Sequence, residues 1–261
     1  MINYKQLFID SVIPILGRLS LRKNKYVNVI YYHDVVSGEG YSLMQMNIEK
    51  FKHQISYLKK KGYETLRFDD LDNPELFKFK KKRVVIAFDD GWKSNYDLIF
   101  DWMKEQRIKY NVYLTIGEID NNPDYLTWGQ VRLMHDSGIC GFGAHTFTHP
   151  DMSDLSKVDT TIEVQKANEK FNQELGYKPI DFCYPFGYYS EDSNEWLTKN
   201  TEYRRIYTSA PFFSYQQNNS YIMARQGISN DDSDKVFRDK LNGYLNIYKP
   251  FFDHYYKVFS K

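Results

Sequence analysis

Apolar positions along the chain fall into two alternating patterns. Short continuous apolar runs read as strands buried on both faces. Val84-Val85-Ile86-Ala87-Phe88 is the clearest, and it stops at Asp89-Asp90-Gly91. Val27 to His33, Thr65 to Phe68, Tyr110 to Ile116, Gly141 to Ala144, Phe182 to Phe186, Arg205 to Thr208 and Ile222 to Ile228 are further strand candidates. Between them, apolar residues recur at helical spacing. Ile48 to Lys61 puts Phe51, Ile55 and Leu58 on one face, and Tyr96 to Gln106, Trp128 to Asp136 and Asp159 to Leu175 also read as helices. Strands alternating with helices predict βαβ units and a parallel sheet. Eight or so strands in roughly 230 residues fit a closed or nearly closed barrel better than an open sheet.

The two ends differ from this alternation. In residues 1–26, Asp10, Pro14 and Arg18 interrupt what would be the core of an export signal, so none is expected. Phe8, Val12, Ile15 and Leu19 share one helical face, which would pack on the barrel or touch a membrane surface. Residues 233–261 read as a helix and an aromatic, basic tail that would pack on the barrel or meet a membrane interface. The barrel domain itself is expected over residues 27–232. Lys plus Arg is 35 and Asp plus Glu is 34, a balance that argues against a general nucleic-acid binder. The two cysteines, Cys140 and Cys183, exclude a disulfide framework. No apolar run reaches the ~18 residues of a membrane span. The expected setting is therefore cytoplasmic, with contact at the inner membrane face open. Aromatic residues make up 17% of the chain, which suits stacking on sugar rings or simply core packing.

Three segments follow predicted strands, where barrel enzymes keep their chemistry. Asp89-Asp90-Gly91 places two carboxylates at a strand end, where burial without a cation is costly. His145-Thr146-Phe147-Thr148-His149-Pro150 places two histidines four apart, which can converge from one helical turn or from a tight loop. Cys183-Tyr184-Pro185-Phe186-Gly187 reads as a fixed, tight loop. Each alone has a plain reading as a turn or loop. Together, two histidines and one aspartate make the three-ligand set of a catalytic zinc site, with the second aspartate beside it as a candidate base.

In this order, Phe88-Asp89-Asp90-Gly91, His145-x-x-x-His149-Pro150 and Tyr184-Pro185-Phe186-Gly187 resemble the NodB-homology polysaccharide deacetylases, carbohydrate esterase family four. Tyr32-His33-Asp34-Val35 and Thr127-Trp128 resemble the subgroup acting on poly-N-acetylglucosamine and related surface sugars. The resemblance covers roughly residues 27–230 and implies a distorted (β/α) barrel of seven or eight units. It implies Asp89 as general base, and Asp90, His145 and His149 as ligands of a divalent metal, usually Zn2+, with Co2+ or Ni2+ as substitutes. A backbone N–H around Tyr184 to Phe186 would complete the oxyanion site. Two departures matter. The arginine that many members carry two residues before the motif proline is Cys183 here, and Arg225 is the candidate replacement. The usual late Leu-x-x-His acid motif is missing, and His33 is the stand-in proton donor. Trp128 is expected to wall the sugar groove or simply to anchor a helix. The implied substrate is an N-acylated amino sugar in a polysaccharide, a lipid-linked glycan or a nucleotide sugar. Deformylation of a lipid-linked amino sugar and non-catalytic glycan binding are the alternatives. The sequence leaves the oligomeric state open.

Overall fold

The computed structural model describes residues 27–243, apart from 39, 41, 43, 79–80, 210–214 and 218. The helical segment expected over residues 1–26 and the aromatic tail after residue 243 lie outside the described residues.

The strands, in chain order, are β1 (Asn28–Tyr32), β2 (Asp34–Val36), β3 (Gln45–Asn47), β4 (Glu64–Leu66), β5 (Arg83–Phe88), β6 (Tyr110–Leu114), β7 (Cys140–Ala144), β8 (Asp181–Cys183), β9 (Arg205–Tyr207), β10 (Tyr215–Gln217), β11 (Ser220–Met223) and β12 (Gln226–Gly227). The helices are α1 (Ile48–Lys60), α2 (Ser94–Asp97), α3 (Phe100–Gln106), α4 (Trp128–Asp136), α5 (Lys157–Leu175), α6 (Glu191–Asn200) and α7 (Asp234–Leu241). Polar caps start the longer helices. The side chains of Asn47, Thr127, Ser156, Ser190 and Ser233 each accept from a first-turn amide.

Ten strands join one sheet in the order β10-β11-β9-β8-β7-β6-β5-β1-β12, with β4 beside β5. Every pairing in it is parallel except β10 with β11. β11 lies near one end of that order and β12 at the other, yet only Ala224 and Arg225 separate them in the chain. The sheet therefore curls into an incomplete (β/α) barrel whose gap is crossed by a two-residue seam.

Strand alternation sets the two packing layers. Ile30, Tyr32, Val84, Ile86 and Phe88 pack under the helices against Phe51, Ile55 and Leu58. Val29, Val85 and Ala87 point the other way, into a concave interior shared with Tyr113, Cys183, Tyr207 and Met223. One polar residue organises that interior. Asn111 Oδ1 accepts from the Phe68 amide at 2.8 Å, and its Nδ2 donates to the carbonyls of Leu66 (3.1 Å) and Ile86 (3.2 Å). Asn111→Ala would orphan all three buried backbone groups. The expected loss of stability is on the order of 3 kcal/mol, read from the denaturant midpoint.

Three element boundaries differ from the sequence pattern. The strand expected over residues 182–186 ends at Cys183, because Pro185–Gly187 turns as a 3₁₀ segment. The run expected over residues 222–228 breaks at the seam, because Ala224 and Arg225 leave one edge of the sheet for the other. The helix expected over residues 96–106 is two, α2 and α3, interrupted at Leu98 and Ile99.

Candidate active site

The residues with chemical potential all follow the C-terminal ends of parallel strands: His33 after β1, Asp89 and Asp90 after β5, His145 after β7, Tyr184 after β8 and Arg225 after β11. The ladders run on just far enough to fix them. The Asp89 amide still donates to Tyr32 O at 3.0 Å, and the His145 amide to Leu114 O at 2.9 Å. Beyond these points the backbone turns sharply. Asp90, Thr146, His149 and Phe186 all take positive φ, four of the six described non-glycine residues that do so. Such conformations persist only where the surroundings hold them. Glu163 on α5 holds the histidine loop, accepting from the amides of Phe147 (3.0 Å) and Thr148 (2.8 Å) and from the Thr148 hydroxyl (2.8 Å).

The loop brings the two imidazoles together, with ring centroids 4.9 Å apart. His145 Nε2 lies 3.4 Å and His149 Nε2 3.2 Å from the same oxygen, Asp90 Oδ1. His145 Nδ1 meets the Cys183 carbonyl at 2.8 Å, so Nδ1 carries a proton and Nε2, which donates to Asp90 when protonated, is the atom that could bind a metal once its proton is lost. Burial alone would raise the Asp90 carboxyl pKa. The hydrogen bonds from His145 and His149 outweigh it and hold the group well below the usual range. Two imidazole nitrogens and a carboxylate oxygen, with a carbonyl orienting one ring from behind, fit a divalent transition metal. A second trio, Asp89, His145 and Cys183, is equally compact. Both Asp89 oxygens there are already engaged, and burial pushes the Cys183 thiol up, against thiolate formation.

Asp89 is 2% exposed. Arg225 meets it end-on, with Nη1 2.6 Å from Oδ1 and Nη2 2.8 Å from Oδ2. The guanidinium donates from Nε to Thr208 O at 3.3 Å and lies over the Tyr31 ring at 4.1 Å. Burial would raise the Asp89 pKa, but Arg225 more than offsets it and holds the carboxyl below its usual value. His33 Nε2 stands 3.9 Å from Asp89 Oδ2, and burial lowers its pKa despite the two carboxylates nearby.

Two expected roles do not survive the geometry. Trp128 does not wall a groove. It is 2% exposed, in the apolar layer under the helices, because it begins α4 on the inward face. Tyr184 does not offer its amide, which donates to Tyr207 O at 3.0 Å and continues the β8–β9 pairing. Its hydroxyl meets Asn194 Oδ1 at 3.1 Å. Pro185 has no N–H, and the Gly187 amide donates to Tyr184 O. Among the described residues, the Phe186 amide is the one in this loop without an acceptor. The Phe186 ring is half exposed and packs edge-on against His149 at 4.7 Å.

Trp92, Tyr125 and Glu163 belong to the site and escaped the sequence reading. Trp92 directly follows Asp-Asp-Gly, which was a usable signal. Tyr125 and Glu163 carried none.

A barrel with Asp, His and His at the carboxyl ends of its strands, and a buried carboxylate alongside, is an arrangement that suits metal-assisted hydrolysis. Residues 78–206 match the sequence profile described as polysaccharide deacetylase, a family of hydrolases acting on carbon–nitrogen bonds. The Bacillus subtilis protein YxkH, itself classed with the polysaccharide deacetylases, is 25% identical over 211 residues, covering 80% of this chain and 74% of that protein. The poly-β-1,6-N-acetyl-D-glucosamine N-deacetylase of Staphylococcus epidermidis is 25% identical over 165 residues, 58% of this chain and 57% of its own length. The fold superposes on the Streptococcus pyogenes deacetylase PplD, solved in complex with acetate, with a TM-score of 0.75 at 20% identity, over 84% of this chain and 99% of that one. Among the described residues, no helix is long and apolar enough to cross a membrane.

Proposed function

We propose that this protein hydrolyses the N-acetyl group of an amino sugar in a surface glycan. Asp90, His145 and His149 would hold a divalent metal, Asp89 would act as base, and Phe186 would offer its amide. The observation that carries this reading is the Arg225–Asp89 pair set directly beside the Asp90, His145 and His149 cluster. A divalent ion there would lower the pKa of water and polarise the acyl carbonyl. Asp89, kept ionised by Arg225, accepts a proton from the attacking water, and the water oxygen bonds to the acyl carbon. The Phe186 N–H donates to the oxygen that gains charge. His33 receives the proton from Asp89 and delivers it to the nitrogen as the carbon–nitrogen bond breaks. Acetate and a free amine result.

The names of the relatives favour a β-linked N-acetylglucosamine polymer over a nucleotide sugar. After reconstitution with zinc, cobalt or nickel, the wild type is expected to retain about one metal equivalent by elemental analysis, and His145→Ala close to none. The wild type should release acetate from β-1,6-linked N-acetylglucosamine oligomers. Formate release from an N-formyl lipid-linked sugar, without acetate release, would replace this reading by deformylation. Oligosaccharide binding with neither metal nor release would leave a glycan-binding protein.

A further inference from the structure

Trp92 stands immediately after the Asp89-Asp90-Gly91 turn, and its indole Nε1–H donates to Asp90 Oδ2 at 2.9 Å. The other oxygen, Oδ1, is the one both imidazoles face, at 3.4 and 3.2 Å. The indole is itself held in place. It stacks on Tyr125 with centroids 4.6 Å apart and planes at 28°, and the two residues also pair as a backbone bridge. The Leu126 amide donates to Gly91 O and the Lys93 amide to Asp124 O, so both strands of that bridge are tied to the turn.

We propose that Trp92 is a positioning residue that makes Asp90 a one-oxygen metal ligand. Its N–H occupies Oδ2 through a charge-assisted hydrogen bond and fixes the carboxylate plane. Oδ1 alone is then left to complete the set with the two Nε2 atoms. A carboxylate free at both oxygens would turn to chelate the ion, and would take a position that water and the acyl oxygen need. This inference rests on the metal reading above.

Trp92→Phe is the test, because it keeps an aromatic ring against Tyr125, though a smaller one, and removes the N–H. Metal affinity is read by chelator competition, ligand number by the visible spectrum of the cobalt-loaded protein, and folding by the melting temperature of the metal-free protein. The expected result is an affinity about 10- to 100-fold weaker. The cobalt band should also be less intense, as a higher coordination number gives, with unchanged metal-free melting. Wild-type affinity and an unaltered spectrum in Trp92→Phe would overturn the inference and leave the metal site standing. A lower metal-free melting temperature that accounts for the lost affinity would assign Trp92 to packing instead. Absence of metal from the wild type as well would remove the metal reading and this inference with it.

Discussion

Asp89→Asn is expected to lower the deacetylation rate by about 10²–10⁴-fold while metal content stays at the wild-type level. The amide is nearly isosteric with the carboxylate and can still accept from Arg225 through its oxygen. What it cannot do is take a proton from water. The atoms proposed to hold the metal belong to Asp90, His145 and His149, so the metal should remain. Acetate release and elemental analysis on one preparation separate the two quantities. A variant that keeps most of its rate would show that another group takes the proton. A variant that loses its metal would place Asp89 among the ligands.

Arg225→Ala is expected to damage both stability and rate. The guanidinium is among the most deeply buried side chains of the described chain, and its partner Asp89 is buried with it. Removing one member of a buried pair leaves the other charge uncompensated, at a cost of about 3–5 kcal/mol. The pH dependence gives the sign. In the wild type Arg225 holds the Asp89 pKa below its usual value, so the pair stabilises the fold above the ordinary carboxylate range. That contribution disappears as pH falls through the lowered pKa. Without Arg225, burial is opposed only by the smaller pull of His145 and His33, so the Asp89 pKa rises and the folded variant takes up a proton more readily than the wild type. The difference in melting temperature between variant and wild type should be widest near neutrality and narrow toward about pH 4. Arg225→Lys keeps the charge but not the two-point contact, and should fall between them in both stability and rate. A gap independent of pH would show that Arg225 contributes packing rather than charge.

The fold was legible where burial leaves a one-dimensional trace. Val84 to Phe88 is apolar at every position because both of its faces are covered, and such a run has few other readings. The pairing of carboxylates with histidines was legible because those groups sit at the ends of such runs. What was hidden depends on partners far apart in the chain. Asp89 and Arg225 are 136 residues apart. Arg225 came into view only as a replacement for the arginine absent at Cys183. Trp128 and Trp92 are the same residue type, each beside a motif. Only the packing shows that the first is in the core and the second is hydrogen-bonded to Asp90. Tyr184 and Phe186 share one loop, and which of them has a free amide follows from how far the β8–β9 ladder extends.

The seam at Ala224 and Arg225 also sets an order of events during synthesis. Asp89, Asp90, His145 and His149 all emerge from the ribosome long before Arg225, and until then Asp89 lacks its guanidinium partner. A nascent chain that has reached β9 already carries Asp90, His145 and His149, the residues proposed to hold a metal, but Asp89 is still without Arg225. The same residue that pairs with Asp89 also carries the chain from one edge of the sheet to the other. Completion of the Asp89–Arg225 pair is thus tied to the seam that carries the chain across the sheet, and a chain cut short before it would lack that pair.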